Sequence, residues 1–519
     1  MLLVLALLWL LGVFSPGQKP PEQVLTVSPS PSPGVIAPVE ATAQPSPAPA
    51  SPAPTRTPEA TAALSTGKRT LYELAARLDD EQSKFFCTMQ VQYYNDTPDT
   101  LNQLCFRLYP NFFQTEAAIG GASLREYYPS GFDPGSISIN SVALNGRLSY
   151  HSLSEDETLL FVPLAQDLPP EQTITATLEF VIQVPRMDNR FGETALGYQM
   201  GNCLPILAVY QDGGWDTRPF TALGDPFFSQ TADYKAAISY PDDYDMACNG
   251  TILSQEQGGE GITVTYAAAS RVRSFCWTLG SRMDCHVIEP DQSGGPRVIS
   301  WALTGKSAQR GAELAAQALS VYGEMFGPYP YETFTLVQAD LAAGGMEYPG
   351  MAMIGRKLYL DSRQRQLELT IAHEVAHQWF FALVGSDELG APWMDEALCN
   401  YLGTVYFERV YGLERYQTMV DANLSDMAGG AYPIDGSLLT DYPDDSAYTD
   451  AVYVRGGAMF YALRETIGEE AFFAALKAYC RDHAYGIAAR EDLIAAFEAA
   501  SGMVLSDWFS GWCMPLPLG

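Results

Sequence analysis

The sequence is short of positive charge. Thirty Lys and Arg residues stand against 61 Asp and Glu residues in 519 positions, which gives a formal net charge of −31. A chain this negative repels the phosphates of nucleic acids and of anionic lipid headgroups. Nucleic acid is therefore not an expected partner, and a neutral or cationic small molecule or peptide is favoured.

Cysteine pairs at metal-binding or redox spacing are absent, and histidines are few. The nine cysteines include no CxxC pair, which argues against a cysteine-built zinc ribbon and a thioredoxin-type redox site. Most cysteines are expected to be buried as small apolar residues. The alternative is that one or two disulfides form, if the protein lies outside the cytosol. Only five histidines occur, so two of them at a ligand spacing carry information.

Long apolar runs are absent apart from MLLVLALLWLLGVF at residues 1–14. As a helix this run is about 20 Å long, too short for a hydrocarbon core of about 30 Å. It is predicted to be a signal peptide or a signal anchor, followed by a Pro/Ser/Ala-rich disordered linker at residues 15–67. These segments predict an exported protein, extracellular or on the cell surface, with a membrane tether if the run is retained. A leader without function is the alternative.

The rest of the chain divides into two regions of different periodicity. Residues 68–286 contain short alternating segments such as TITATLEFVIQV and are predicted to form an N-terminal β-rich, sandwich-like domain. Residues 287–519 combine the strand-like VISWALT and TFTLVQA with long helical stretches. They are predicted to form an α+β domain, in which one helix covers Gln364–Val384 and is capped by Gly385.

The most informative pattern is HEVAH at residues 373–377. His373 and His377 are four residues apart in a predicted helix, so both imidazoles lie on one face and can reach a single Zn²⁺. Glu374 lies beside that position, where a carboxylate can hold and deprotonate a water molecule. The alternative interpretation is a pair of structural histidines on an amphipathic helix.

Glu396 is the predicted third metal ligand. A catalytic zinc usually has three protein ligands and one open position, and the HExxH pattern supplies two. Glu396 follows His377 by nineteen residues, within WMDEALCNY, on a second predicted helix that can return to the same ion. The alternative is an acid favoured by the helix dipole. Asp395 is either a partner of a ligand or another such acid.

HEVAHQWF followed at this distance by WMDEALCNY resembles the gluzincin arrangement of the M1 metallopeptidase family, the zinc aminopeptidases. GGMEYP at residues 344–349 resembles the family's Gly-x-Met-Glu exopeptidase motif, and YVRGG at residues 453–457 resembles its Tyr-x-Lys-Gly segment. The resemblance extends from about Leu71 to the end of the sequence. It implies a thermolysin-like catalytic domain at residues 287–519, in a short form that lacks the C-terminal helical domain.

The resemblance also implies a metal centre and two catalytic groups. One Zn²⁺ per chain would be bound by His373, His377 and Glu396. Glu374 would act as the general base and proton shuttle, and Tyr453 would donate a hydrogen bond to the tetrahedral oxyanion. Each role is chemically sensible, because zinc lowers the pKa of a bound water and a phenol can stabilise a developing negative charge.

Substrate binding is the third implied role. Glu347 would lie on a loop after TFTLVQA, taken as an edge strand, and would bind the free α-ammonium of a peptide. Gly344, Gly345 and Met346 belong to the same motif, and Tyr448 is expected to line the same wall as Tyr453. No counterpart is found of the amino-terminal-domain segment that helps to bind the amine in many members, so amine selectivity is expected to depend mainly on Glu347.

Together these features predict a zinc-dependent aminopeptidase that hydrolyses peptides at their free N-terminus with zinc-activated water. A zinc endopeptidase, or another zinc hydrolase with an open cleft, is the first alternative. A surface-tethered binding module without turnover is the second. The sequence does not predict the preferred first residue or the oligomeric state.

Overall fold

A computed structural model describes residues 68–119, 121–290, 295–424 and 430–513. The predicted signal segment at residues 1–14 and the linker at residues 15–67 lie outside the described residues. The described chain begins with a β-rich region and continues as an α+β region, which confirms the predicted fold class.

The β-rich region is built on one large sheet. Its strand Lys84–Tyr94 alternates strictly between core and surface: Phe85 is fully buried, whereas Phe86 is 37% exposed. This period of two is what a sheet with one covered face requires. In spatial order the eight strands are Thr251–Gly259, Ile262–Val272, Ala232–Pro241, Leu71–Asp79, Lys84–Tyr94, Thr173–Gln183, Ser136–Leu144 and Arg147–Leu148.

Three small sheets complete this region. The first contains Asp245–Cys248, Trp277–Gly280, Gly197–Met200 and Phe191–Thr194; the second contains Ile206–Leu207, Leu101–Arg107, Leu159–Leu168 and Ser152–Leu153; the third is the hairpin of Tyr210–Gln211 and Gly214–Trp215. Phe85 packs edge-on against Trp277, at 5.6 Å between ring centroids, so the large sheet and the first small sheet share one core.

A five-stranded sheet begins the second region. Its spatial order is Asp284–Ile288, Arg297–Ala302, Thr333–Ala339, Met351–Gly355 and Gly345–Tyr348. The segment TFTLVQA is therefore a central strand and not an edge strand as predicted, and the edge is the strand Gly345–Tyr348. The predicted domain boundary at residue 286 falls inside the first of these strands.

This sheet separates two hydrophobic cores. In the strand Met351–Gly355, Met351 and Met353 pack into the core of the β-rich region, whereas Ala352 and Ile354 pack into the helical core. All five residues of the strand are buried. A strand covered on both faces reads as a continuous apolar run, and MAMIG fits that pattern.

Helices cover the far face of the sheet. The HExxH helix is Gln364–Ala376, shorter than the predicted Gln364–Val384. Beyond this helix, the N–H groups of Ala382, Leu383 and Val384 donate hydrogen bonds to the carbonyls five residues earlier. Turns of the π type therefore replace the α-helix there. Gly385 is not a helix cap, since its N–H donates to the carbonyl of Gly486 over 3.0 Å. The apolar residues of these turns, Trp379 and Phe380 among them, are buried and extend the helical periodicity that misled the prediction.

The α-helices are Glu116–Ile119, Gly121–Tyr127, Gly305–Phe326, Gln364–Ala376, Glu396–Tyr411, Leu413–Asn423, Asp445–Tyr448, Gly456–Ile467, Glu469–Asp482, Arg490–Ser501 and Ser506–Cys513. Short 3₁₀ turns occur at Tyr109–Gln114, Arg356–Tyr359, Asp361–Arg363 and Pro392–Met394, and a π-helical segment at Thr449–Arg455. Within the ranges that are described, no helix is both long and apolar enough to span a membrane. All nine cysteines are described and all are free thiols, seven of them buried.

Two arginines join the β-rich region to the helices. Arg273 is 2% exposed and donates to the carbonyls of Ser229, Phe381 and Gly486 over 2.6–2.8 Å. Arg218 pairs with Asp387 at 2.8 Å. These contacts fix the loop that follows Arg218 against the helical region.

A buried group of ion pairs around Asp216 also holds the loop that follows Arg218. Asp216 pairs with Arg107 at 3.1 Å and with Arg218 at 2.9 Å. Burial alone would raise the pKa of Asp216, but the two guanidinium groups hold it below its usual value. The stability that these ion pairs contribute is fully present above the ordinary aspartate pKa of about 3.9. It is lost as the pH falls through the lower pKa that Asp216 has in the folded protein.

Replacement of Asp216 by Asn is therefore expected to lower the free energy of unfolding at pH 7 by about 3 kcal/mol, because it leaves Arg107 buried without its counter-charge. The difference from wild type should shrink below about pH 4, where the wild-type carboxylate also becomes protonated. Denaturant midpoints between pH 2.5 and 7 measure both effects. Asp212→Asn, on an exposed turn nearby, is the control; a pH-independent loss in D216N would contradict the ion-pair explanation.

Candidate active site

The two histidines of HEVAH face each other at the end of their helix. The Nε2 atoms of His373 and His377 are 3.1 Å apart, and the two rings stand at 84°. His373 is 5% exposed and His377 is fully buried. Nδ1 of His377 lies 3.3 Å from the carbonyl oxygen of Phe380. A carbonyl favours the tautomer with the proton on Nδ1, and in that tautomer Nε2 has a free lone pair.

Glu396 joins this pair, as predicted from its spacing. It is the first residue of the helix Glu396–Tyr411, and its Oε2 lies 3.3 Å from His373 Nε2 and 3.4 Å from His377 Nε2. Ligand atoms at the corners of a tetrahedron with bonds of about 2.1 Å stand about 3.4 Å apart. The three atoms thus have the separations of a zinc cage, and Oε2 is buried without a hydrogen-bond partner. The residues present fit a tetrahedral cation with two nitrogen ligands and one oxygen ligand.

The start of the Glu396 helix is held by another acid. Asp395 accepts a hydrogen bond from the N–H of Glu396 at 2.6 Å, and it faces the buried carboxyl of Glu388. Burial and Glu388 raise the pKa of Asp395, whereas burial raises that of Glu388 to about 8. The two acids therefore lie behind Glu396, and each is protonated more easily than a free carboxyl group. Asp395 acts on the backbone of Glu396 rather than on the histidines.

Glu374 is packed directly against the glycine of the edge strand. A Cβ atom added to Gly345 would lie 2.1 Å from Oε1 of Glu374, so only glycine leaves room for this carboxylate. The other oxygen, Oε2, is buried and has no hydrogen-bond partner. Burial raises the pKa of Glu374 to about 8. This carboxyl group is held beside the metal ligands and is available to a water or a substrate.

The edge strand directs alternate residues to opposite sides. Gly345 and Glu347 face the candidate site together with the preceding Gly344. Met346 is 2% exposed and points the other way, into the core of the β-rich region. The prediction that Met346 binds substrate is not supported by this position, because the period of two in a strand separates it from its neighbours. Glu347 lies on the strand itself and not on a loop.

Tyr448 and Tyr453 line the opposite wall, the first just before a π-helical segment and the second within it. Their rings meet edge to face at 5.6 Å, and the Tyr453 ring lies 6.1 Å from that of His373. In an α-helix residues five apart do not share a face, but the i→i+5 hydrogen bonds of the segment Thr449–Arg455 bring them together. Burial, and then Glu396, raises the pKa of Tyr453 well above its usual value, so the phenol retains its proton.

Arg455, in the position that resembles the family's Lys, does not reach the site. It donates to the carbonyls of Tyr432 and Trp512 over 2.6 Å and 3.2 Å. The side chain therefore braces the chain behind the π-helical turn.

The β-rich region contributes two residues that the sequence did not predict. A carboxylate oxygen of Asp225 lies within 4.8 Å of oxygens of Glu347 and Glu396. Arg190 forms an ion pair with Asp225 and lies over the ring of Phe227 at 5.0 Å. Asp225 stands in the loop segment LGDPFF, which contains no metal or catalytic pattern, so no local signal could have identified it.

These groups share a cleft of about 790 Å³ that is partly open to solvent. Its floor is the His373–Glu396 cluster, one wall is the edge strand, and the other wall is the π-helical turn. The roof is the loop around Asp225. Both regions of the chain are needed to form the cleft.

Comparisons with known proteins agree with this arrangement. The peptidase family M1 domain matches residues 310–512. Aminopeptidase M1-B of Oryza sativa subsp. japonica is 24% identical over 380 residues, which cover 69% of this chain and 42% of the relative. Aminopeptidase N of Lactococcus lactis subsp. lactis is 28% identical over 219 residues, which cover 38% of this chain and 25% of the relative. The chain thus spans less than half of the length of these curated relatives.

A solved structure shares the fold across both regions. An M1 zinc metallopeptidase from Deinococcus radiodurans superposes with a TM-score of 0.62 at 16% identity, and the match covers 87% of this chain and 95% of that one. The matched residues 310–512 contain the HExxH helix, Glu396 and Tyr453. Residues 310–512 of the chain thus carry the match to the peptidase family M1 domain.

Proposed function

We propose that the chain is a zinc aminopeptidase that removes the first residue of peptides with a free N-terminus. The observation that carries this proposal is the position of Glu347 and Asp225 next to the metal ligands. An α-ammonium nitrogen is only about 2.5 Å from the carbonyl carbon of its own residue. Two carboxylates within 4.8 Å of each other and of Glu396 therefore leave room for one residue between the amine and the metal.

His373, His377 and Glu396 would hold the zinc ion, one per chain. A zinc ion in such a cage supplies Lewis acidity and a water of lowered pKa. The fit rests on the three ligand separations of 3.1–3.4 Å and on the unpartnered Oε2 of Glu396. The Deinococcus structure, an M1 zinc metallopeptidase, supports zinc over other cations.

Glu374 would accept the proton of the attacking water and deliver it to the leaving amine. Its buried, unpartnered Oε2 is suited to this role, and Gly345 holds the carboxylate in place by close contact. Tyr453 would donate a hydrogen bond from its phenol to the oxygen of the scissile carbonyl, where charge develops in the transition state. Glu347 and Asp225 would bind the ammonium with charge-assisted hydrogen bonds.

Export of the protein is part of this proposal. It is supported only by the sequence of residues 1–67, with its short apolar run and Pro-rich segment. Fractionation of cells that express the whole chain is the direct measurement; recovery of the protein in the cytosol would contradict export.

Glu374→Gln is expected to reduce kcat/KM by about 10²–10⁴-fold, because it removes the base and leaves the three ligands. Zinc content should remain near one per chain, and a chelator should abolish the wild-type activity. Glu313→Gln, an exposed acid on the helix Gly305–Phe326, is the control. Wild-type turnover in E374Q would remove Glu374 from the mechanism.

Gly345→Ala is expected to lower kcat by about 10²-fold, because the new methyl group displaces the Glu374 carboxylate. Gly344→Ala is the matched control, since its Cβ would meet nothing closer than Thr370 at 3.8 Å. Zinc content should be unchanged in both variants. Equal activities of the two variants would show that the close contact has no catalytic importance.

Acetylation of the peptide amine is expected to abolish cleavage, since the ammonium is the group that Glu347 and Asp225 bind. Glu347→Gln and Asp225→Asn should each raise KM for the free peptide by roughly ten- to hundredfold. Matched free and acetylated peptides, assayed by mass spectrometry, measure this selectivity. Comparable cleavage of the acetylated peptide would favour a zinc endopeptidase instead.

A further inference from the structure

The cleft contains more negative charge than the proposed reaction uses. Six carboxylates line it, and Arg190 is the only Lys or Arg among the residues that line it. Arg190 forms an ion pair with Asp225. A zinc ion would neutralise the charge of Glu396, and a substrate ammonium would neutralise that of Glu347. Glu374 is the base. Two carboxylates are left over, those of Glu126 and Asp445.

Glu126 and Asp445 come from different regions of the chain and line the same cleft. Glu126 lies on the helix Gly121–Tyr127 of the β-rich region, and Asp445 is the first residue of the helix Asp445–Tyr448. Both are half-buried, and among the described residues neither forms an ion pair. Burial and then the charge of Asp445 raise the pKa of Glu126, whereas the charges of Lys357 and Arg125 lower it.

An unpartnered hydroxyl lines the same cleft, three residues after Asp445 on the same helix. Tyr448 is 4% exposed, lines the cleft, and its hydroxyl has no hydrogen-bond partner. A Cβ atom added to Gly224 would lie 3.1 Å from this hydroxyl, so the loop before Asp225 passes directly beside it. A buried hydroxyl without a partner costs free energy, and a polar ligand group would recover it.

We infer that Glu126 and Asp445 bind the basic side chain of the substrate's first residue, so that the cleft takes peptides beginning with Arg or Lys. This inference rests on the proposed aminopeptidase function. The α-ammonium would lie against Glu347 and Asp225, and the side chain would extend past Tyr448 to the two acids. The Tyr448 hydroxyl oxygen would accept a hydrogen bond from the substrate there.

A second bound cation is the competing explanation for the two acids. Among the described residues, neither Glu126 nor Asp445 belongs to a group of three metal-ligating side chains with ligand atoms within 4.8 Å. Two acids from different elements of one cleft suit a long side chain with several N–H donors better than they suit a compact ion.

The experiment compares kcat/KM for substrates of the form Xaa-Ala-Ala with Arg, Lys, Leu or Glu as the first residue. Wild type is expected to prefer Arg and Lys over Leu by at least tenfold and to cleave the Glu substrate least. Glu126→Gln and Asp445→Asn should each lower the Arg-to-Leu ratio by roughly three- to tenfold. Glu126→Lys should lower it further and improve the Glu substrate relative to Arg.

Glu116→Gln is the matched control, an exposed acid on the preceding helix that does not line the cleft. It should keep the wild-type ratio. Equal rates for Arg and Leu in wild type, or equal losses on both substrates in the variants, would overturn the inference while leaving the aminopeptidase intact. A preference for Arg that appears only when Ca²⁺ or Mg²⁺ is added would also overturn it, in favour of a second cation. Failure to cleave any free peptide would remove the proposed function itself.

Discussion

The structure depends on the burial of acids and imidazoles that need a cation. His373, His377, Glu396, Glu374 and Glu347 are each at most 5% exposed, and they lie side by side. A cluster of this kind is costly to bury unless a positive charge compensates it, and removal of one partner leaves the others unpaired. Metal and substrate ammonium are the two cations that would complete it. The buried unpartnered oxygens of Glu374 and Glu396 are the places where compensation is incomplete.

Both the helical region and the β-rich region contribute residues to the cleft that contains this cluster. The helical region supplies the ligands from the ends of two packed helices, and the five-stranded sheet supplies its edge strand as a wall. The β-rich region then closes the cleft with the loop around Asp225, fixed by the ion pairs of Arg190 and Arg218. The β-rich region is therefore part of the site and not only its support. The match in fold to the Deinococcus structure also extends across both regions.

The sequence predicts well what depends on short spacing. Two histidines four apart and an acid nineteen residues further on identified the ligand cluster, because a helical turn and one helix pair fix their geometry. Features set by distant contacts were not predictable. Asp225 reaches the site only through the packing of the two regions, and the pleat of an edge strand turns Met346 away from it. The HExxH helix ends at Ala376 although the apolar pattern continues beyond it. The pairing of Tyr448 with Tyr453 depends on a π-helical turn that no propensity indicates.

The loop that carries Gly224 and Asp225 has a consequence for how such a protein can diversify. It contacts the recognition side of the cleft while contributing no ligand to the metal. Changes in its length or charge would therefore alter what the cleft accepts and leave His373, His377 and Glu396 in place. The roof of the cleft can thus vary independently of the cluster on its floor.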